Sequence, residues 1–188
     1  TIRKVSIVAS PTPGSGKTRM IRASLAKSEE ADPHCQAGAV VIHEKTTIGS
    51  LVSALRRKFR DTGGKHFLHV SFTFLPSDEK LFGSWLADLN YVFFSMLVLR
   101  MVYDPVGAKS FTLIRKQLRL FVEIPGGPNG ESADSWLARN VPILHCCGVA
   151  ESPSAEFLID EEARRVSYYL RAYDNGTINR KYEGGAGK

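Results

Sequence analysis

The chain has 188 residues, 43% of them hydrophobic, 10% aromatic and 23% charged, with a formal net charge of +6. This is the composition of one globular domain of ordinary size, which excludes a disordered tail and a disulfide-stapled miniprotein. The longest apolar stretch, residues 91–99, is broken by Ser95 and closed by Arg100. It falls short of the roughly 20 residues a bilayer-spanning helix needs, so no membrane partner is expected. No apolar region or small-residue cleavage site follows the basic start Thr1-Ile2-Arg3-Lys4, so no signal peptide is expected. Cys35, Cys146 and Cys147 cannot build a framework of bridges and are expected as free thiols in a reducing compartment.

In chain order, Val5, Ile7 and Ala9 alternate with Lys4, Ser6 and Ser10, which predicts a short strand ending in the loop Ser10-Pro11-Thr12-Pro13-Gly14-Ser15-Gly16. Residues 19–26 fit helix or strand, and residues 37–43 read as a strand through Val40, Val41 and Ile42. Ile48, Leu51, Val52, Leu55 and Phe59 recur at helical spacing, with Arg56, Arg57, Lys58 and Arg60 toward the C-terminal turn, where cations suit the dipole. Asp61-Thr62-Gly63-Gly64 stops this amphipathic helix.

Beyond it the period changes to two. Leu68, Val70, Phe72 and Phe74 alternate with His69, Ser71 and Thr73, and Pro76-Ser77-Asp78 ends that strand. Residues 91–103 read as a long apolar strand, and Leu118, Leu120, Val122 and Ile124 alternate with Gln117, Arg119 and Glu123 before a Pro-Gly-Gly-Pro-Asn-Gly loop. Residues 141–149 predict another strand, residues 157–159 a short one, and residues 166–172 a last one before Asp174-Asn175-Gly176. The tail from about 184 is Gly-rich, and the second two-thirds reads as almost entirely β.

The segment Pro11-Thr12-Pro13-Gly14-Ser15-Gly16-Lys17-Thr18 resembles the phosphate-binding loop of nucleoside triphosphatases, in which backbone N–H groups wrap the phosphates, Lys reaches them and Thr holds Mg²⁺. Phe157-Leu158-Ile159-Asp160-Glu161 is similar to the apolar strand ending in an acid that completes such sites. Against this stand Pro11 at the position of the first glycine, Pro13 removing a backbone donor, and the apparent lack of further strand-helix-strand units. His34, His43, His66, His69 and His145 with the three cysteines show no metal-ligand spacing, and no Ser/His/Asp set is recognisable. The expectation is therefore no catalytic, cofactor or metal residues.

The helix around residues 51–59, Gly63-Gly64, and the order of the strands and loops over residues 46–175 resemble the capsid proteins of picorna-like RNA viruses, most closely the small coat protein of the plant comovirus group. That resemblance implies one all-β domain over residues 1–188, an eight-stranded jelly-roll sandwich with one or two short helices in loops. It implies a structural, non-enzymatic coat protein of the virion, present in host cytoplasm during assembly, whose partners are other capsid subunits and genomic RNA held by its phosphates. Residues 1–65 carry a charge of +7 and the remainder −1, so Arg3, Lys4, Lys17, Arg19 and Arg22 are expected to face RNA, and Arg56, Arg57, Lys58 and Arg60 to serve subunit contacts. The alternative is a nucleotide-hydrolysing, helicase-like domain using Gly14, Gly16, Lys17 and Thr18 with Asp160 and Glu161, and a third reading is a β-sandwich binding module.

Overall fold

In the computed structural model the chain divides into two compact units, Thr1–Ser152 and Pro153–Lys188. The structure describes residues 4–10, 14–31, 34–59, 65–107, 110–115 and 117–150, all in the first unit. The strands predicted at 157–159 and 166–172, and Asp160 and Glu161, lie outside the described residues.

The first unit is an α/β fold. Five strands, β1 (Lys4–Ser10), β2 (Cys35–Ile42), β3 (Lys65–Phe72), β6 (Gln117–Pro125) and β7 (Gly148–Ala150), form one sheet in the order β2-β3-β6-β1-β7. Every pairing in it is parallel. Helices α1 (Lys17–Ala31), α2 (Ile48–Lys58), α3 (Glu79–Phe94), α4 (Ala133–Asn140) and α5 (Pro142–Cys147) make the connections. A two-stranded antiparallel sheet, β4 (Met101–Tyr103) with β5 (Phe111–Leu113), is inserted between α3 and β6.

A parallel sheet needs both faces covered. On one face Val5, Ile7, Val40, Ile42, Leu68, Val70, Leu120 and Val122 pack in a single core with Leu51 and Leu55 of α2, Leu89 and Phe93 of α3, and Trp136 and Leu137 of α4. Trp136 is fully buried, edge-on to Phe72, and its indole N–H donates to Pro76 O at 3.0 Å. The other face belongs to α1, whose Met20, Ile21 and Leu25 are buried, and strand alternation turns Val8, Phe67 and Phe121 toward it.

These observations overturn the all-β jelly roll, and each error has a local cause. Residues 91–103 are not a strand: they hold the last turn of α3, a π-helical turn at Ser95–Leu99, and β4. Ser77-Asp78, expected to stop a strand, starts this helix, since Asp78 Oδ1 accepts from Lys80 N at 2.9 Å and Leu81 N at 3.3 Å. The helix is apolar on most sides, so its 3.6-residue period is faint. With the π turn, Lys80–Leu99 is long and apolar enough by length and composition to cross a membrane, yet Leu86, Leu89, Val92, Phe93, Met96 and Leu97 belong to the core.

Residues 141–149 are likewise α5 followed by β7, with Pro142 in the first turn, where its missing N–H costs nothing. Residues 19–26, which fitted either state, lie in α1. The helix expected around residues 48–59 is α2, opened by a reciprocal pair in which Thr47 Oγ1 accepts from Ser50 N and Thr47 N donates to Ser50 Oγ, both at 3.1 Å. The strands expected near residues 4–10, 37–43, 68–74 and 118–124 are β1, β2, β3 and β6, but they run parallel.

Candidate functional site: the loop between β1 and α1

Strand β1 ends at Ser10, and α1 begins at Lys17. Gly14 (φ +74°) and Gly16 (φ +84°) both have the left-handed backbone that only glycine adopts without strain, and a Cβ at either would meet nothing within 4 Å. The space beside the loop is therefore open. Gly16 O accepts from Met20 N at 2.8 Å, opening a fifteen-residue helix whose first N–H groups have no partner within the helix. Such a terminus favours anions.

Lys17 folds back over the loop, its Nζ donating to Ser10 O at 3.2 Å and Ser15 Oγ at 3.3 Å. The Thr18 hydroxyl donates to Glu123 Oε1 at 2.6 Å. The other carboxylate oxygen, Oε2, meets His69 Nε2 at 2.9 Å. Glu123 and His69 are 8% and 5% exposed, so this polar chain lies inside the protein, between the sheet and α1.

The sheet register makes the chain possible. Glu123 of β6 lies opposite Val8 of β1 and Ser71 of β3, so it sits between the loop-bearing strand and the strand of His69. His69 is two residues before Ser71, on the same face. Burial pushes the His69 imidazole below its ordinary pKa of 6.5, the Glu123 carboxylate pulls it back up, and Arg22 adds to the lowering. A neutral His69 in the tautomer that carries its proton on Nε2 donates to Glu123 Oε2.

The alternation in β3 and β6 has its explanation here. His69 and Glu123 occupy polar positions of that alternation, but they are buried against each other under α1. The absence of strand-helix-strand units is also corrected, since β1-α1-β2 and β2-α2-β3 are two of them. Pro11 and Pro13 lie outside the described residues.

The structure brings Gly14, Gly16, Lys17 and Thr18 together as the alternative reading required. The acid it places beside Thr18 is Glu123, which that reading did not name. The sequence carried a signal for it: Leu118 to Val122 is an apolar strand ending in an acid, the pattern sought at residues 157–161. Of the cations expected to face RNA, Arg3 lies outside the described residues and Lys4 opens β1, about 20 Å of strand away from the loop. Lys17 is in the loop, and Arg19 and Arg22 are exposed on the first turns of α1. Of the cations expected at subunit contacts, Arg56 reaches Ser110 Oγ at 2.6 Å within the chain.

The site lies at the C-terminal edge of the sheet, where the connection from β1 leaves toward β2 by one side and that from β6 crosses to β7 on the other. Crevices at such reversals are where α/β sheets bind ligands. The donor set suits a phosphate group with a hard cation: N–H groups and an ammonium for the phosphates, a hydroxyl and one carboxylate for Mg²⁺. Among the described residues no group of three or more His, Cys, Asp or Glu could hold a metal ion. A Mg²⁺ ion here would take its other ligands from phosphate oxygens and water.

No protein-family model matches the chain, and no curated protein sequence matches it. Among solved structures it is similar to the ORC2 protein of Aeropyrum pernix, determined as ADPNP–ADP complexes, with a TM-score of 0.50 at 10% sequence identity. The match covers 79% of this chain and 40% of that one, so the chain spans less than half the length of this neighbour. A likeness at this identity is one of fold, and it is a likeness to an α/β nucleotide-complexed protein, which overturns the resemblance to a jelly-roll coat protein and with it the expected capsid and RNA partners.

Proposed function

We propose that the unit built on β1 and α1 binds a nucleoside triphosphate or diphosphate with Mg²⁺. The observation that carries this reading is the contact between Thr18 and Glu123 immediately after Gly16-Lys17, which sets a hydroxyl and a carboxylate side by side at the mouth of a glycine loop. The fold of a neighbour described with ADPNP and ADP supports it.

In this reading the loop N–H groups and the first turn of α1 take the phosphates. Lys17 exchanges its contacts with Ser10 O and Ser15 Oγ for phosphate oxygens. Thr18 and Glu123 face the metal, which when bound offsets the charge between adjacent phosphates. Base and sugar recognition is left to residues outside this constellation. The proposed activity is binding, and phosphate release followed in the same titrations decides whether the nucleotide is also turned over.

The test is a titration with ATP, GTP and ADP in Mg²⁺. Micromolar binding that falls by about tenfold to a hundredfold in Lys17→Ala is expected, since a hydrogen bond to a charged group contributes roughly 1.5–3 kcal/mol. Thermal stability without ligand should change little, because the hydrogen bonds from Lys17 to Ser10 O and Ser15 Oγ are only partly buried. A folded wild-type chain that binds none of the three overturns the reading.

A further inference from the structure

The function proposed above uses one oxygen of Glu123. The other is held by His69, a buried group from a different strand that stands away from the loop and points at the carboxylate. The geometry is that of a histidine backing a metal-facing carboxylate. Oε1 looks toward the Thr18 hydroxyl, Oε2 looks back into the sheet toward His69 Nε2, and the carboxylate is fixed at both ends.

We propose that His69 is the positioning residue of this site: by donating from Nε2 to Glu123 Oε2, it fixes the plane of the carboxylate so that Oε1 faces the metal position beside Thr18. The inference rests on the nucleotide-binding reading and assigns the residue that gives the site its Mg²⁺ dependence. A carboxylate on a short strand-borne side chain has two free torsions before its terminal one, and a single partner on Oε1 leaves it able to turn. The second hydrogen bond removes that freedom before any ligand arrives. Groups that orient a metal ligand in this way contribute about tenfold to a hundredfold in metal affinity when removed.

Three features of the chain favour this role over simple core filling. Strand β3 presents Phe67 and His69 on the α1 face, where Phe67 stacks near Phe121, so position 69 lies beside an aromatic, buried patch that does not by itself call for a polar side chain. The register places Glu123 opposite Ser71, and His69, two residues earlier on the same face, leans along the strand to meet Oε2. His69 and Glu123 are both buried, so the histidine and not bulk water is the partner at hand for Oε2.

The experiment compares His69→Gln, which retains an amide donor at similar reach, with His69→Met, which fills the volume without one. Binding of a fluorescent N-methylanthraniloyl ADP is titrated in excess Mg²⁺ and in EDTA, and unfolding is followed without ligand. The expected result is that His69→Met loses about tenfold of the Mg²⁺-dependent gain in affinity while its EDTA affinity stays within about twofold of wild type. His69→Gln should recover most of that gain. Equal behaviour of Gln and Met, a loss in Met that is as large in EDTA as in Mg²⁺, or a wild type whose binding gains nothing from Mg²⁺ overturns the proposal while leaving nucleotide binding in place. A wild type that binds no nucleotide under either condition overturns both readings.

Discussion

Thr18 and Glu123 are 105 residues apart in the chain and 2.6 Å apart in the fold, with the hydroxyl of one donating to the carboxylate of the other. One partner stands in the first turn of α1 and the other on β6, the strand that pairs directly with β1. The contact ties the loop to the centre of the sheet, and it joins the anion-binding end of a helix to a buried carboxylate. In the proposed nucleotide site, stability and ligand binding therefore share one hydrogen bond.

Replacing Thr18 by Val keeps the shape and removes the hydroxyl. Buried Glu123 Oε1 then loses its donor, and the folded state is expected to lose about 1–3 kcal/mol. Nucleotide affinity in Mg²⁺ should fall more than affinity in EDTA. Urea unfolding gives the first quantity and paired titrations the second; a variant as stable as wild type would mean that the carboxylate finds another partner.

Two glycines separate backbone strain from crowding. Gly14 has φ +74° with open space where a Cβ would stand, so Gly14→Ala should cost about 1–2 kcal/mol from conformation alone. Gly148 opens β7, and a Cβ there would collide with Ile7 Cδ1 and lie 2.6 Å from Leu144 O. Backbone and core side chain both stand in the way, so Gly148→Ala should cost about 1–3 kcal/mol through displaced packing. Only the Gly14 variant should also weaken nucleotide binding, and affinities measured beside melting curves distinguish the two.

His69 gives stability a pH dependence of known sign. Its folded pKa lies below 6.5, chiefly through burial, against the pull of Glu123 and with the push of Arg22. Between the folded value and 6.5 the unfolded chain binds more protons than the folded one. Stability from this group is therefore complete above about pH 6.5 and declines as the solution is made more acid. Denaturant midpoints at about pH 7.5 and about pH 5.5 should differ less in His69→Gln than in wild type; equal differences would assign the acid sensitivity to other groups.

Elements with local signals were legible without the fold. The spacing of Ile48, Leu51, Val52 and Leu55 defines α2, because an amphipathic surface helix shows one apolar stripe. Strands β1, β2, β3 and β6 stood out as short β-branched and aromatic runs, and Gly14, Gly16, Lys17 and Thr18 through their spacing. The remainder depended on contacts between distant parts of the chain. Residues 91–103 and 141–149 read as strands because α3 carries Leu81 and Tyr91 on its exposed side as well as buried Leu86, Leu89, Val92 and Phe93, which blurs the helical period, and α5 has only six residues, too few to display one. Alternation in β3 and β6 fitted the all-β expectation because a buried histidine and glutamate leave the same pattern in a sequence as two solvated side chains. What distinguishes them is a partner: Glu123 is 54 residues from His69 and 105 from Thr18, and no local rule joins positions so far apart until parallel pairing of β3, β6 and β1 sets them side by side.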